Sequence, residues 1–195
     1  VLSLPAESGP VPFLTPDGTG WRLPLSEQAA VYGLGEMPRG INKRGWHYIT
    51  NNTDESRHSE DKLSFYGAHN FLLVRDGSTC LGLFVDFPGK VYYDIGYTRH
   101  DLFSFHTETP DYDLYLLSGG NENGICKEFR TLIGRSYIPP RWAFGLAQSR
   151  WGYKTEEDVR EVARQYKEHD LPLDMICMDI DYMQGYADFT VNRER

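Results

Sequence analysis

The feature that most constrains the fold is a pair of apolar runs on either side of one amphipathic segment. Residues 142–149 and residues 171–178 each indicate a buried strand, and only Asp174 places a charge in the second run. Between them, Thr155 precedes three acidic residues, which is typical of a capped helix start. Strands that are apolar on both faces and joined through a helix run parallel in a covered sheet. The segment therefore predicts a β-α-β unit.

The helix of this unit carries apolar residues at helical spacing and is expected to end near His169. These residues are Val159, Val162, Ala163 and Tyr166. Two strands cannot bury both faces of a parallel sheet. We therefore expect the sheet to be completed by residues beyond Arg195.

The preceding segment, residues 13–117, has a different pattern. Short runs of Val, Ile, Phe, Tyr and Leu are separated by turn residues, which is typical of β structure. Residues 71–74 and 79–86 predict a hairpin, because an Asp-Gly pair between them suits the positive φ angles of a tight turn. The last strand places Tyr112, Leu114 and Leu116 on one face. Several strands at this spacing predict an antiparallel β-sandwich.

A helix and a proline pair separate the two patterns. Apolar residues recur at helical spacing within residues 121–133, and Gly134 is placed to end that helix. Pro139 and Pro140 cannot continue a helix. We therefore predict a sandwich domain over residues 1–138 and the start of a second domain over residues 139–195.

The composition argues against a nucleic-acid partner. With 28 acidic and 20 basic side chains the formal charge is -8, so most of the surface repels a polyanion. Cys80, Cys126 and Cys177 show no CxxC spacing and stand beside apolar residues, which predicts buried, reduced thiols. Residues 1–12 lack the basic start and apolar run of a signal peptide, and no stretch approaches a membrane span. We expect a cytoplasmic protein with no membrane partner.

Polar and aromatic residues follow both strands of the predicted unit, at the edge where parallel sheets place their functional groups. Asp179 and Asp181 are two positions apart, so on a strand they would point to the same side. Such a pair suits acid-base chemistry, sugar binding or a metal, and it equally suits a turn cap or an ion pair with Arg. The six His residues show no metal-ligand spacing, and we expect neither a metal nor a cofactor. Gly33-Leu34-Gly35 lacks the rest of a dinucleotide fingerprint and is interpreted as a turn.

A set of short motifs, in order from about residue 30 to the end, resembles the opening third of glycoside hydrolase family 31. The motifs are Tyr32-Gly33-Leu34-Gly35-Glu36, Asn52-Thr53-Asp54, Tyr66-Gly67, Gly82-Leu83-Phe84, Ile133-Gly134-Arg135, Pro139-Pro140-Arg141-Trp142-Ala143, Ser149-Arg150-Trp151-Gly152-Tyr153, Leu173-Asp174, Asp179-Ile180-Asp181-Tyr182-Met183 and Asp188-Phe189-Thr190. The resemblance implies a β-sandwich followed by a (β/α)8 barrel, of which this chain holds only the first β-α-β. It also implies an enzyme that releases α-linked sugars, usually glucose, from non-reducing ends with retention.

The resemblance assigns roles to individual residues. Asp179 would bind sugar hydroxyls at the bottom of the −1 subsite, and Trp151 would form an aromatic wall near the scissile bond. Asp54, on a loop that the family places over the barrel mouth, would bind sugar near the boundary of the −1 and +1 subsites. A supporting set, in which Asp181 backs the site rather than contacting sugar, comprises Arg150, Tyr153, Ile180 and Asp181.

A retaining glycosidase needs a carboxylate nucleophile and a carboxylic acid about 5–5.5 Å apart. In the family the nucleophile stands in a segment resembling Trp-x-Asp-Met-Asn-Glu, which does not occur here. We expect both catalytic groups beyond Arg195, and we expect this chain alone to be inactive.

Several alternatives stay open. Within the family, α-xylosidase or transglycosylase specificity would use the same residues, and the larger ring of Trp151, where some relatives have Tyr, favours α-1,6 links as in isomaltose. A chitinase-like acidic strand would need a Glu at the position that Met183 occupies. Outside the enzymes, a carbohydrate-binding or interaction module would use the sandwich alone. For the enzyme, an oligosaccharide is the expected substrate.

Overall fold

The structure, a computed structural model, describes residues 11–15 and 18–194. The chain divides into two compact units, Val1–Arg135 and Ser136–Arg195. The domain boundary between residues 138 and 139 stays a prediction. The expectation that residues 1–12 hold no signal peptide concerns mainly residues 1–10, which lie outside the described residues.

The first unit is built of two antiparallel sheets. In chain order its strands are β1 (Val11–Leu14), β2 (Thr19–Pro24), β3 (Ala30–Gly35), β4 (Trp46–Thr50), β5 (Ala68–Asp76), β6 (Thr79–Asp86), β7 (Val91–Ile95), β8 (Leu102–Thr107) and β9 (Asp113–Leu117). One sheet has the order β1-β2-β8-β7-β4, and the other has the order β3-β5-β6-β9. Both contribute buried side chains to one core, which confirms the predicted sandwich.

The core follows the period of two in the strands. On β8, Phe103 and Phe105 are buried while the residues between and beside them are only partly covered. On β6, Leu83 and Val85 take the same inward positions from the other sheet. Burial of such apolar side chains is the main term that stabilises the unit.

The predicted hairpin and the helix after the sandwich are both confirmed. Strands β5 and β6 pair from Phe71 opposite Phe84 to Asp76 opposite Thr79, and Gly77 supplies a positive φ in the turn. Helix α1 (Glu122–Ile133) ends at Gly134, as the sequence predicts.

The interpretation of Gly33-Leu34-Gly35 as a turn is wrong. These residues belong to β3, where the pairing with β5 shifts register between Gly33 and Gly35. All three have positive φ angles, and Leu34 is fully buried. A β-carbon on Gly33 would stand 2.3 Å from the carbonyl oxygen of Phe71. The segment is therefore a bulge that turns a leucine into the core where no β-carbon fits beside it.

The second unit contains the predicted β-α-β pattern, with shorter strands. Its elements are β10 (Ala147–Ser149), helix α2 (Glu156–Glu168) and β11 (Met175–Cys177), and the two strands pair in parallel. The runs 142–149 and 171–178 are wrong as full strands. A 3₁₀ turn occupies Arg141–Phe144, because the proline pair precedes it and Gly145 ends it.

Asp174 explains why the second apolar run contains a charge. Its carboxylate accepts a hydrogen bond from the amide of Leu146 at 3.2 Å, while its own amide donates to the Leu146 carbonyl at 2.9 Å. A β-carbon on Gly145 would lie 2.0 Å from that carboxylate. Asp174 therefore joins the starts of the two strands, and Gly145 leaves it the room to do so.

The expectation of buried thiols is also wrong. Cys126 and Cys177 are exposed and Cys80 is half-buried, and all three are free. Cys126 follows the buried Ile125 on α1 but lies beside the buried face of the helix, where it stays exposed. Neither α1 nor α2, the helices of the described residues, has the length and apolar character needed to cross a bilayer.

Candidate functional site

Two predicted sugar-binding residues stand at equivalent places behind paired strands. Ser149, the last residue of β10, lies opposite Cys177, the last residue of β11. Trp151 and Asp179 each follow two positions later. Because the strands are parallel, both residues leave the sheet at the same edge, where parallel sheets present functional groups.

The expectation that Asp179 and Asp181 share one side of a strand is wrong. Strand β11 ends at Cys177, and both aspartates lie in the turn that follows. Asp179 adopts a φ of 61°, a left-handed conformation that breaks the alternation of the strand. As a result Asp179 is exposed and Asp181 is 3% exposed. Only one of the two carboxylates is therefore open to a ligand in the described residues.

Asp181 is anchored inside the turn. One of its oxygens, Oδ1, accepts a hydrogen bond from the Tyr186 hydroxyl at 3.2 Å. The other, Oδ2, is buried and has no partner among the described residues. The amide of Asn192 donates to the carbonyl of Tyr182 at 2.8 Å and ties the next segment to the same turn. This arrangement suits a group that shapes the turn presenting Asp179.

Tyr153 belongs to a second network behind β10. It is 3% exposed, and its hydroxyl accepts a hydrogen bond from Gln148 Nε2 at 3.2 Å. The Tyr166 hydroxyl of α2 donates to Gln148 Oε1 at 2.6 Å, so Gln148 links the strand to the helix. The Arg150 guanidinium lies 5.5 Å from the centre of the Tyr153 ring, within cation–π range. The supporting roles of Arg150 and Tyr153 stay predictions.

Trp151 and Ile180 both present apolar surface outward. The Trp151 side chain is 68% exposed, and Ile180 is 43% exposed. A flat exposed indole is suited to stacking on a sugar ring. The roles of both residues in binding stay predictions.

Asp54 lies on a loop of the first unit with defined internal contacts. The amide of Thr53 donates to the carbonyl of Phe65 at 2.9 Å, and the Glu55 carboxylate pairs with Lys62 Nζ at 2.7 Å. These contacts join the outgoing and returning arms of residues 51–67. The Asp54 side chain is exposed on the outgoing arm of this folded loop, where a ligand can reach it.

No role was predicted for Tyr66, which lies near Asp54. Partial loss of hydration raises the pKa of the Tyr66 phenol, and the charge of the nearby Asp54 carboxylate raises that pKa further. His58 stands edge-on to the Tyr66 ring, with centroids 5.7 Å apart. The Tyr66-Gly67 motif is the signal that marks this residue in the sequence.

Each unit has a cavity close in sequence to a predicted sugar-binding residue, and neither cavity is lined by Asp179 or Asp54. In the second unit, a cavity of about 410 Å³ lies between Arg150, Tyr153 and the first turns of α2. In the first unit, a groove of about 520 Å³ lies at the base of the Asp54 loop, lined in part by Asn51, Asn52 and Phe87.

A sandwich followed by the start of a parallel barrel is the domain organisation of one class of glycoside hydrolases. Residues 13–94 match the glycosyl hydrolase 31 N-terminal galactose mutarotase-like domain, and residues 136–195 match the glycosyl hydrolases family 31 TIM-barrel domain. The chain belongs to glycoside hydrolase family 31, whose members are glycosidases.

Named relatives and solved structures agree with this assignment. Alpha-glucosidase 2 of Bacillus thermoamyloliquefaciens is 38% identical over 173 residues, which is 88% of this chain and 22% of that protein. Alpha-xylosidase 1 of Arabidopsis thaliana is 30% identical over 172 residues, covering 86% of this chain and 20% of that protein. A family 31 dextranase from Flavobacterium johnsoniae, solved as a variant with isomaltotriose, superimposes with a TM-score of 0.82 and 27% identity over 97% of this chain and 23% of its own. The chain thus spans about a fifth of the relatives it matches.

Proposed function

We propose that the protein containing this chain is a retaining, exo-acting α-glucosidase that removes α-linked glucose from the non-reducing ends of oligosaccharides. The observation that carries the proposal is the 38% identity to an α-glucosidase over 88% of the chain. Asp179 and Trp151, at matching places behind paired parallel strands, give that similarity a chemical basis.

In the proposed site Asp179 is the group that fixes the terminal sugar. An ionised carboxylate accepts two charge-assisted hydrogen bonds from neighbouring hydroxyls. Asp179 has a left-handed φ of 61°, which non-glycine residues adopt at an energetic cost. Strained backbone conformations of this kind are frequent at functional sites. The exposed carboxylate can hold the ring without contacting the anomeric carbon.

We propose that Trp151 and Asp54 also bind substrate. The exposed indole offers a wall for the apolar face of a sugar, and Asp54 offers a carboxylate for hydroxyls near the scissile bond. We propose that α-1,6 links are accepted. The similar dextranase was solved with isomaltotriose, a chain of α-1,6-linked glucose.

We assign the nucleophile and the acid to no residue of this chain and place both on later barrel strands. Retention requires two carboxyl groups about 5–5.5 Å apart. In the second unit Met175 of the two-stranded sheet is exposed, as are Trp142 and Phe144 of the preceding 3₁₀ turn, whereas parallel sheets are covered on both faces. This exposure supports further strands and helices packing there.

The second candidate is an α-xylosidase, favoured by the 30% identity to a plant α-xylosidase over 86% of the chain. Xylose lacks the hydroxymethyl group of glucose, so the two activities separate on paired substrates. A transglycosylase would transfer the sugar to an acceptor instead of to water. A carbohydrate-binding module would bind without turnover.

The test is a comparison of substrates with the full-length protein expressed from its gene. Hydrolysis of p-nitrophenyl α-glucoside, p-nitrophenyl α-xyloside, maltose and isomaltose would be measured for the wild type and Asp179→Ala. We expect the glucosides to be preferred and Asp179→Ala to lower kcat/KM by about 100-fold or more. Asp111→Ala, an exposed aspartate of the sandwich unit, is the matched control.

Other outcomes identify the alternatives. Preference for the xyloside would favour the α-xylosidase, and transfer products that grow with acceptor concentration would favour the transglycosylase. Binding without turnover in the full-length protein would favour the module. We also propose that the isolated 195-residue chain is inactive, which measurable glucose release by that chain would contradict.

A further inference from the structure

We infer that Arg39 is a positioning residue that holds the Asp54 loop, residues 51–67, against the sandwich and so sets where Asp54 meets the sugar. The inference rests on the proposed role of Asp54 and extends it to a residue outside the binding site. No sequence motif marks Arg39, because its hydrogen bonds go to backbone carbonyls.

The Arg39 side chain bridges the loop and a strand. Its Nε donates a hydrogen bond to the carbonyl of Glu60 in the loop, and its Nη1 donates to the carbonyl of His47 on β4 at 3.1 Å. The guanidinium carbon lies 4.4 Å from the centre of the Trp46 ring and 5.4 Å from that of Tyr48. A planar cation with donors in several directions can make all of these contacts at once, whereas a lysine cannot.

The backbone that carries Arg39 is itself fixed. Lys43 is 4% exposed, and its Nζ donates to the carbonyls of Met37 at 3.2 Å, Pro38 at 3.1 Å and Gly40 at 2.7 Å. Arg39 lies in the segment between these carbonyls and has a φ of 68°. Non-glycine residues keep such a conformation only where their surroundings impose it. The guanidinium therefore starts from a rigid base.

The contact at Glu60 complements the bonds within the loop. One arm of the loop is joined to the other by the hydrogen bond from Thr53 to Phe65 and by the ion pair between Glu55 and Lys62. These bonds do not fix the direction of the joined arms relative to the sandwich. Two contacts from β4 set that direction. The amide of Ile49 donates to the Leu63 carbonyl at 3.0 Å, and Arg39 links the Glu60 carbonyl to that of His47 on the same strand. The charge of Arg39 also contributes to lowering the pKa of Asp61, after hydrogen bonds from Ser59 and the backbone.

Arg44 offers a matched control. Its Nη1 donates to the carbonyls of Ser26 and Ala29, the latter at 2.8 Å, and its Nη2 donates to the carbonyl of His100 at 2.8 Å. Like Arg39, Arg44 therefore donates hydrogen bonds to backbone carbonyls and lies between β3 and β4, but it does not contact the Asp54 loop in these bonds. Loss of Arg44 tests the general cost of removing such a side chain.

The experiment uses the full-length protein with Arg39→Lys, Arg39→Ala and Arg44→Ala. Hydrogen exchange of residues 55–62 and steady-state kinetics on isomaltose would be measured. We expect both Arg39 variants to exchange faster in the loop and to raise KM by about tenfold with kcat changed much less. Arg44→Ala should alter neither the exchange of the loop nor KM. Arg39→Lys keeps the charge and serves if Arg39→Ala does not fold.

Combination with Asp54→Ala separates positioning from general damage. If Arg39 acts through Asp54, Arg39→Lys should add little to the KM of Asp54→Ala. Unchanged loop exchange, or a full additive effect, would overturn the inference. Faster loop exchange in a protein without glycosidase activity would keep the role of Arg39 in holding the loop and overturn the proposed function instead.

Discussion

Ile125 of α1 occupies the space that a side chain on Gly82 of β6 would fill. A β-carbon on Gly82 would lie 2.5 Å from Ile125 Cγ2 and 3.0 Å from Leu117 Cβ on the neighbouring strand. Ile125 is fully buried as a result, and Phe129, one turn later, stacks on Phe71 with ring centres 4.0 Å apart. The missing side chain on β6 is thus what lets the helix approach the outer face of the sheet.

This fit predicts a pair of compensating substitutions. Gly82→Ala should destabilise the first unit by about 1–3 kcal/mol through overpacking. Ile125→Ala should cost about 2–5 kcal/mol through the cavity that it leaves. The double variant should lose less than the sum, because the new methyl group fills part of that cavity. Urea unfolding measures all three, with the exposed Cys126→Ala as control, and simple additivity would show that the two residues are not coupled.

A second prediction concerns the start of α2. Thr155 Oγ1 accepts a hydrogen bond from the Asp158 amide at 3.2 Å, and Asp158 Oδ2 accepts one from the Thr155 amide at 2.9 Å. Thr155→Ala should therefore cost about 1 kcal/mol. Hydrogen exchange at residues 156–159 should quicken before the rest of the helix does. Thr155→Ser retains the oxygen and should behave as the wild type; equal loss in both variants would argue against a capping role.

A third prediction concerns the acid side of stability. Burial would raise the pKa of Asp94, but hydrogen bonds from Thr98, the Tyr97 amide and His47 outweigh it and lower that pKa. The folded value thus lies below the unfolded value of about 3.9. The stabilisation is fully present above the unfolded pKa and is lost as the pH falls through the folded one.

Asp94→Asn tests this directly. The free energy of unfolding, measured by urea between about pH 7 and pH 2, should fall less steeply below about pH 4 in the variant than in the wild type. The exposed Asp113→Asn is the control for a general change in charge. Parallel curves for Asp94→Asn and the wild type would contradict the lowered pKa.

The elements that the sequence predicted well are those encoded by local periodicity. Helices α1 and α2 and the β5–β6 hairpin each follow from residues within one segment, because spacing and caps act over a few positions. The bulge at Leu34 and the shortened strand β10 depend on contacts across the sheet or on Asp174, which lies far along the chain. Apolar character alone does not distinguish these from a turn or a full strand.

For the candidate site too, local sequence was informative about residue types and not about geometry. Its residue types were accessible from motifs, so Asp179, Trp151 and Asp54 were named without the structure. Its geometry was not, since a left-handed φ at Asp179 reverses the expected facing of Asp181. The positioning role of Arg39 was not predictable from the sequence, because its hydrogen bonds go to backbone carbonyls, which every residue type has.

A last prediction concerns the buried carboxylate of Asp181, whose replacement could either lower or raise the free energy of unfolding. Oδ1 is bonded to the Tyr186 hydroxyl, and a buried Oδ2 without a donor would carry a desolvation cost. We expect a donor from elsewhere in the full-length protein to reach Oδ2. Asp181→Asn, which replaces one of the two acceptor oxygens by an NH₂ donor, should then cost about 1–3 kcal/mol in urea unfolding. Tyr186→Phe should cost about 1 kcal/mol. A full-length Asp181→Asn protein more stable than the wild type would show that Oδ2 meets no donor.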